Sequence, residues 1–386
     1  MTQTVSREPY SVAVDQQVLD DLQARLALTR LPVVPTGDPW AHGTSLAYLK
    51  QLVAYWRERF DWRAWERRIN GFEQYRIGVD GFDIHVLVRR AADPAALPVL
   101  LTHGWPGSIV EFLDVADRLA DPAAHGVEGP AFTAVIASLP GYGFSAPPAA
   151  PVTPATVARA WHRLMTEGLG FARYGAHGGD WGGVITSLLA LDKPEGLCAI
   201  HLSGATQSAP WSIKDQPLDA DEEAYLAVSR GRMAAEAGYQ TIQGTRPATL
   251  SYGLTDSPAG LAAWIGEKFR NWTDRDGGDD PTVGMDVLLA NIMLHWLPGP
   301  GPATWMYRYL IDGSALTLPE GRRIELPTGI CSFPNDFGPP APERWLRRSY
   351  NLRNRTIASG GGHFPGIERP VELTEDIRRY FASLDG

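Results

Sequence analysis

The sequence has little cysteine: Cys198 and Cys331 are the only two in 386 residues. Both sit in apolar, strand-like runs, so they read as buried thiols and not as a disulfide framework. It also lacks a basic excess. Lys plus Arg number 35 against 44 Asp plus Glu, a formal net charge of −9. No basic run interrupts that balance, which makes the chain a poor coat for nucleic-acid backbones or anionic lipid. Long apolar runs are missing as well. The longest are strand-length, and none would span a bilayer. The opening MTQTVSREPYS has no apolar core of a secretory signal. There is no internal repeat and no low-complexity linker. What remains is 44% hydrophobic and 20% charged, the balance of a globular chain rather than a disordered one. A soluble, cytoplasmic protein is expected, without nucleic-acid or membrane partners. Thirteen Trp, 13 Tyr and 12 Phe are ample for a core or an apolar pocket. The length allows one large domain or two, and a homodimer would be unsurprising.

Four segments follow from the patterning. Residues 1–94 carry helical periodicity broken by prolines, then a hairpin. VDQQVLDDLQARLALTRLP sets Val18, Leu19, Leu22, Leu26 and Leu28 near one helical face, and Pro32 stops it. SLAYLKQLVAYWRERFDWRAWERRIN reads as one further amphipathic helix. EQYRIGVDGFDIHVLVRR alternates around the turn signal Asp80-Gly81. In residues 95–207, short apolar strands (LPVLLTHG, FTAVIASLPGYG, ARYGAHGGD, LCAIHLSG) alternate with amphipathic helices. That alternation predicts a mostly parallel sheet with helices on both faces. Residues 208–313 lose the strands and read as an inserted helical lid. Residues 314–386 resume with PTGICSFP and NRTIASGGGHF, then close on the helix VELTEDIRRYFASL.

The chemistry lies at the predicted strand ends. Gly178-Gly179-Asp180-Trp181-Gly182 follows the third core strand and opens a helix. A nucleophile elbow needs small residues flanking the central one, because the turn is too tight for bulk. Here the central residue is Asp. A carboxylate can open an activated carbon–heteroatom bond and leave an ester to hydrolyse, although an Asp in this place can also simply cap the helix. His103-Gly104-Trp105-Pro106-Gly107 ends the first core strand. Its loop offers the Trp105 N–H to an oxyanion, and Trp181, just after the nucleophile, offers the second N–H. His363 follows three glycines, Gly360 to Gly362, after the last strand. The acid belongs between them in the chain. Asp336 in CSFPNDFG is preferred for its strand-end position, with Glu343 as the nearby alternative. Each piece is weak alone. Asp180, Asp336 and His363 in that order, with the Trp105 loop upstream, form the pattern of an α/β-hydrolase fold.

On these residues the chain resembles the microsomal-type epoxide hydrolases, a branch of the α/β-hydrolases with an N-terminal meander. The similarity runs over nearly the whole chain. It is carried by EPYSVAVDQQVLDDLQARLALTRLP, HGWPGSIVEF, PGYGFS, GGDWGG, GGGHFPGIERP and, most specifically, GYQTIQGTRPATLSYGLTDSPAGLAAWIGEKFRNWTD. The resemblance implies two lid tyrosines that bind the epoxide oxygen and protonate it. Tyr239 matches the first. The second falls in ATWMYRYLIDG, which departs from the commoner Ser-x-Arg-x-Tyr pattern; it is taken as Tyr307, with Tyr309 as alternate.

The resemblance implies a small-molecule epoxide substrate, a vicinal diol product and an Asp ester between them, with no cofactor and no metal. The lid tryptophans Trp264, Trp272, Trp296 and Trp305 point to a bulky apolar or aryl epoxide, with Trp264, Trp305 and Tyr309 expected to contact it. Detoxification and secondary-metabolite biosynthesis, of the enediyne type, are the two settings in view. Two other readings share the Asp elbow: a haloalkane dehalogenase, with the Trp181 indole holding halide, and a non-catalytic binding protein on the same scaffold.

Overall fold

The computed structural model describes residues 4–204, 216–275, 277–313, 318, 322–336 and 338–384. Among these described residues a nine-stranded sheet runs β1-β2-β3-β5-β4-β6-β7-β8-β9 in space. The strands are β1 Ser6–Pro9, β2 Glu73–Val79, β3 Phe82–Arg89, β4 Pro98–Thr102, β5 Thr133–Ala137, β6 Tyr174–Gly179, β7 Leu197–Ser203, β8 Ile324–Ser332 and β9 Tyr350–Ile357. From β4 onward every pairing is parallel, whereas β1, β2 and β3 join antiparallel. β4 and β5 are fully buried, as strands with helices on both faces must be. Strand order reverses around β4, where the crossover from β5 lands on its other side at β6. A crevice opens at such a reversal, beyond the carboxyl ends of the strands.

Local sequence explains most of the elements. The β2–β3 turn is Asp80-Gly81, with φ of 51° and 83°, the paired left-handed residues a two-residue hairpin favours. Ahead of it lie α1 Gln16–Ala27, α2 Leu46–Glu58 and α3 Trp62–Asn70. α2 and α3 replace the single helix expected over this stretch. Asp61 accepts from Arg63 N at 2.8 Å and so caps a new helix where the periodicity suggested continuation. The α1 face is narrower than expected too. Leu22 and Leu26 are buried, while Val18 and Leu28 are 41% and 79% exposed.

The core helices are α4 Leu113–Ala120, α5 Pro154–Arg163 and α6 Asp180–Asp192. The lid follows as α7 Ala220–Thr245, α8 Pro247–Asp256, α9 Pro258–Trp272, α10 Met285–Trp296 and the short α11 Tyr307–Ile311. Asp219 and Glu222 cap α7 reciprocally. The chain closes with α12 Glu343–Ser349, α13 Pro365–Glu368 and α14 Pro370–Ala382. The expected junctions at 207/208 and 313/314 reach outside the described residues at 207, 208 and 314. The meander packs on the lid: α1 and α2 both contact α9, and Arg25 pairs with Asp256 at 2.8 Å. Cys331 is buried, but Cys198 is only partly so, a correction to the expected buried pair; neither forms a disulfide. Among the described residues no helix is long and apolar enough to cross a membrane.

Candidate active site

Asp180 is the first residue of α6 and follows β6 directly. Its φ of 49° is left-handed, a conformation that costs a non-glycine residue energy and survives only where the surroundings enforce it. Two glycines show the enforcement. A Cβ on Gly182 would overlap the Thr102 carbonyl oxygen, and one on Gly104 would overlap the Asp180 carboxylate. The elbow and the loop after β4 therefore interlock. Trp105 N–H donates to Asp180 Oδ1 at 2.8 Å. Trp181 follows on the first turn of α6 and is buried.

His363 faces both acids. Its Nδ1–H donates to Asp336 Oδ1 at 2.8 Å, and its Nε2 lies 3.4 Å from Asp180 Oδ2. Burial opposes the imidazolium, but the charge of Asp336 and the bonds to Asp180 and Asp336 outweigh it and hold the pKa well above the usual value. The alternative acid, Glu343, instead sits in an exposed pair with Arg347 at 2.7 Å.

The lid closes over this group with rings. Tyr239 stacks on Trp105 at 5.1 Å between centroids, and Tyr307 meets Trp181 edge-on at 5.1 Å. The Tyr239 and Tyr307 rings lie 5.6 Å apart between centroids, edge to face. Both are buried, and burial raises both pKa values. The Tyr239 hydroxyl accepts from Gln240 Nε2 at 3.0 Å. Tyr309 lies elsewhere, its hydroxyl donating to Pro151 O at 3.1 Å. An Asp on an elbow beside a His–Asp pair, under two facing tyrosines, is equipped to alkylate itself on a strained ring and then hydrolyse the ester.

Comparison with known proteins agrees. Residues 7–112 match the family described as the epoxide hydrolase N terminus, and residues 98–230 match the alpha/beta hydrolase fold. A Stigmatella aurantiaca protein, provisionally named an epoxide hydrolase, is 40% identical over 97% of this chain and 85% of its own length. The chain belongs to the epoxide hydrolase family. Epoxide hydrolase 1 of Sus scrofa is 31% identical over 98% of this chain and 89% of its own. The epoxide hydrolase structure from Aspergillus niger superposes with a TM-score of 0.84, at 31% identity, over 98% and 97% of the two chains. The chain is thus an α/β-hydrolase that converts a small-molecule epoxide and water to a vicinal diol, and the dehalogenase and binding-protein readings fall away.

The structure of this epoxide hydrolase places two expected substrate contacts elsewhere. Trp264 lines an outer groove with Leu31 and Val34 of the meander, its indole donating to Gln243 Oε1 at 3.0 Å. Trp305 borders another outer groove with Arg25 and Tyr252. Aromatic residues in a lid are as useful for packing the lid as for lining a pocket, and sequence does not separate the two. The ring that does reach the centre is Trp272, fully buried and edge-on to His363 at 5.0 Å. Other residues went unnoticed. Lys268 Nζ lies 4.7 Å from the Tyr239 ring centroid and pairs with Glu236 at 3.1 Å. Glu111 is buried, and burial pushes its carboxyl up to about 8. The only available signal was position: Glu111 lies inside HGWPGSIVEF, and Lys268 lies inside the lid match. Among the described residues no group of three or more His, Cys, Asp or Glu is placed to hold a metal ion.

Proposed function

We propose that Asp180, His363, Asp336, Tyr239 and Tyr307 carry this epoxide hydrolysis, with the N–H groups of Trp105 and Trp181 as oxyanion donors. The observation that carries the assignment is the double contact of the Asp180 carboxylate. One oxygen accepts from Trp105 N–H at 2.8 Å, and the other lies 3.4 Å from His363 Nε2. Oδ2 is then the attacking atom, and Oδ1 becomes the ester carbonyl oxygen, already seated on its donor.

In the first half-reaction Oδ2 bonds a ring carbon, and the carbon–oxygen bond breaks. The electron pair goes to the epoxide oxygen, which takes a proton from the lid. Tyr239 gives that proton, since its hydroxyl accepts from Gln240 and so keeps its own hydrogen for the substrate. In the second, neutral His363 takes a proton from water while the hydroxide adds to the Asp180 ester carbonyl. Asp336 stabilises the imidazolium that forms. The N–H groups of Trp105 and Trp181 hold the tetrahedral oxyanion, which collapses and expels the diol oxygen; that oxygen takes the carboxyl proton as Asp180 returns to carboxylate, and the proton on His363 returns to the Tyr239 phenolate. The walls are Trp105, Trp181, Trp272 and the two tyrosines, which favours a bulky apolar or aryl epoxide. Cys198 and Cys331, neither in a disulfide, fit a reducing cytoplasm.

A single turnover of styrene oxide in H₂¹⁸O tests this. The water oxygen enters the Asp180 carbonyl carbon, so the label is expected in the peptide containing Asp180 and not in the first diol released. Label in that diol would mean direct attack by water and would overturn the assignment.

A further inference from the structure

The loop carrying His363 is tied to the lid by a carboxylate that the mechanism does not use. Glu368 sits on α13, five residues after His363. Its Oε2 accepts from Gly362 N at 3.0 Å and from Asp274 N at 2.7 Å. Its Oε1 accepts from Phe364 N at 3.0 Å. One carboxylate thus holds the backbone on both sides of His363 and also the chain just beyond α9. The tie is returned from the lid. Asp274 Oδ2 accepts from Gly361 N at 3.0 Å, and Trp272 O accepts from His363 N at 2.7 Å. The two segments meet backbone to backbone, and a Cβ on Gly362 would overlap the Trp272 carbonyl oxygen. Phe269 of α9 and Phe364 stack at 4.1 Å between centroids, 3° from parallel.

Such an arrangement is costly to bury. Burial pushes Glu368 up to about 7, even with three N–H groups favouring its charge. A three-residue glycine run has no stiffness of its own, and a general base misplaced by an ångström loses much of its effect. The carboxylate supplies the rigidity that the sequence Gly360-Gly361-Gly362 withholds.

We propose that Glu368 is a positioning residue that fixes His363 against the end of lid helix α9, and so acts on ester hydrolysis and not on ring opening. This rests on the reading that His363 activates water against an Asp180 ester. Ring opening uses Asp180 and the lid tyrosines, none of which Glu368 touches.

The test is rapid-quench turnover of styrene oxide with intact-mass detection of the alkylated enzyme, on wild type, Glu368→Gln and His363→Gln. The Gln amide turns an N–H₂ toward backbone N–H groups and breaks one side of the tie. Glu368→Gln is expected to lower kcat on the order of 10- to 100-fold. Ester formation should stay within about threefold of wild type, and enzyme heavier by one substrate should accumulate at steady state. Equal slowing of both steps, or no slowing of either, overturns the proposal. His363→Gln separates the two levels: if it accumulates no ester, the mechanism fails rather than the role of Glu368. If Glu368→Gln does not fold, Asp274→Asn loosens the same loop from the lid side. It should show the same selective loss of hydrolysis, and an equal loss in both steps would again overturn the proposal.

Discussion

His363 lies between two carboxylates, Asp180 and Asp336, so its protonation depends on the charge of both. In the free enzyme burial disfavours the imidazolium, yet Asp336 and Asp180 together hold the pKa well above its ordinary value. In the proposed mechanism, esterification would remove the charge of Asp180, and the imidazole would lose one of the two acids that keep it protonated, so that its pKa would fall toward the range of a base. Asp180→Asn reproduces that loss of charge without substrate. The His363 pKa, followed by NMR titration of its ring carbons, should drop in this variant relative to wild type. An unchanged value would mean that Asp180 does not bias the base. The same argument separates the lid tyrosines. Tyr307 is buried against Trp105, Trp181 and Tyr239, while two positions on Tyr309 bonds Pro151, so a one-turn helix suffices to send two tyrosines to different tasks.

At the scale of elements, the elbow and the loop after β4 are one unit. The left-handed Asp180 is sustained by close backbone contact at Gly182. Gly182→Ala would drive a methyl group into the Thr102 carbonyl, and core strands cannot retreat to make room. It should cost more than about 3 kcal/mol or prevent folded protein from accumulating, read by thermal melting and soluble yield. A variant that melts like wild type would show that the elbow has slack. The lid helices are more than a cover. Asn291 Nδ2 and His295 Nε2 on α10 both donate to Pro106 O, at 2.6 and 2.9 Å, and so brace the loop that presents Trp105 N–H. Burial pushes His295 down to about 4, which keeps it neutral. The lid that supplies Tyr239 from α7 and Tyr307 from α11 thus braces the Trp105 loop from α10 and the His363 loop from the end of α9.

Across the whole molecule, a polar chain runs beneath the site. His177 Nδ1 lies 2.9 Å from His201 Nδ1, and His201 Nε2 lies 2.9 Å from Asp376 Oδ2. Asp376 also accepts from Thr356 at 2.6 Å and Arg379 at 2.7 Å, joining α14 to β7 and β9. Burial opposes its charge, but the bond to His201 and its other partners win and lower its pKa. A carboxyl with a depressed folded pKa adds stability above its unfolded pKa of about 3.9 and loses it as pH falls through the lower folded value. Asp376→Asn should therefore cost about 2–3 kcal/mol at pH 7, measured by urea denaturation, because it leaves buried partners unpaired. The gap between variant and wild type should narrow as pH is taken below about 4. A gap unchanged with pH would mean that the carboxylate charge is not what stabilises the junction.

The sequence alone determined what depends on neighbours in the chain. Alternation and the Asp80-Gly81 pair set the hairpin, the glycines around Asp180 set the elbow, and strands alternating with helices set the parallel sheet. These are legible because turn chemistry and periodicity are written in adjacent residues. Asp61 shows the limit even locally: a cap outweighed a continuous helical pattern by one side-chain bond. Tertiary structure decided what depends on contacts across the chain. It set Asp336 rather than Glu343 against His363, turned Tyr307 inward and Tyr309 outward, and sent Trp264 and Trp305 to the outer face. It also brought Asp274 to Glu368, 94 residues away. Residue type gives each of these groups its chemistry, but only the packing of the lid on the sheet fixes which of them meet.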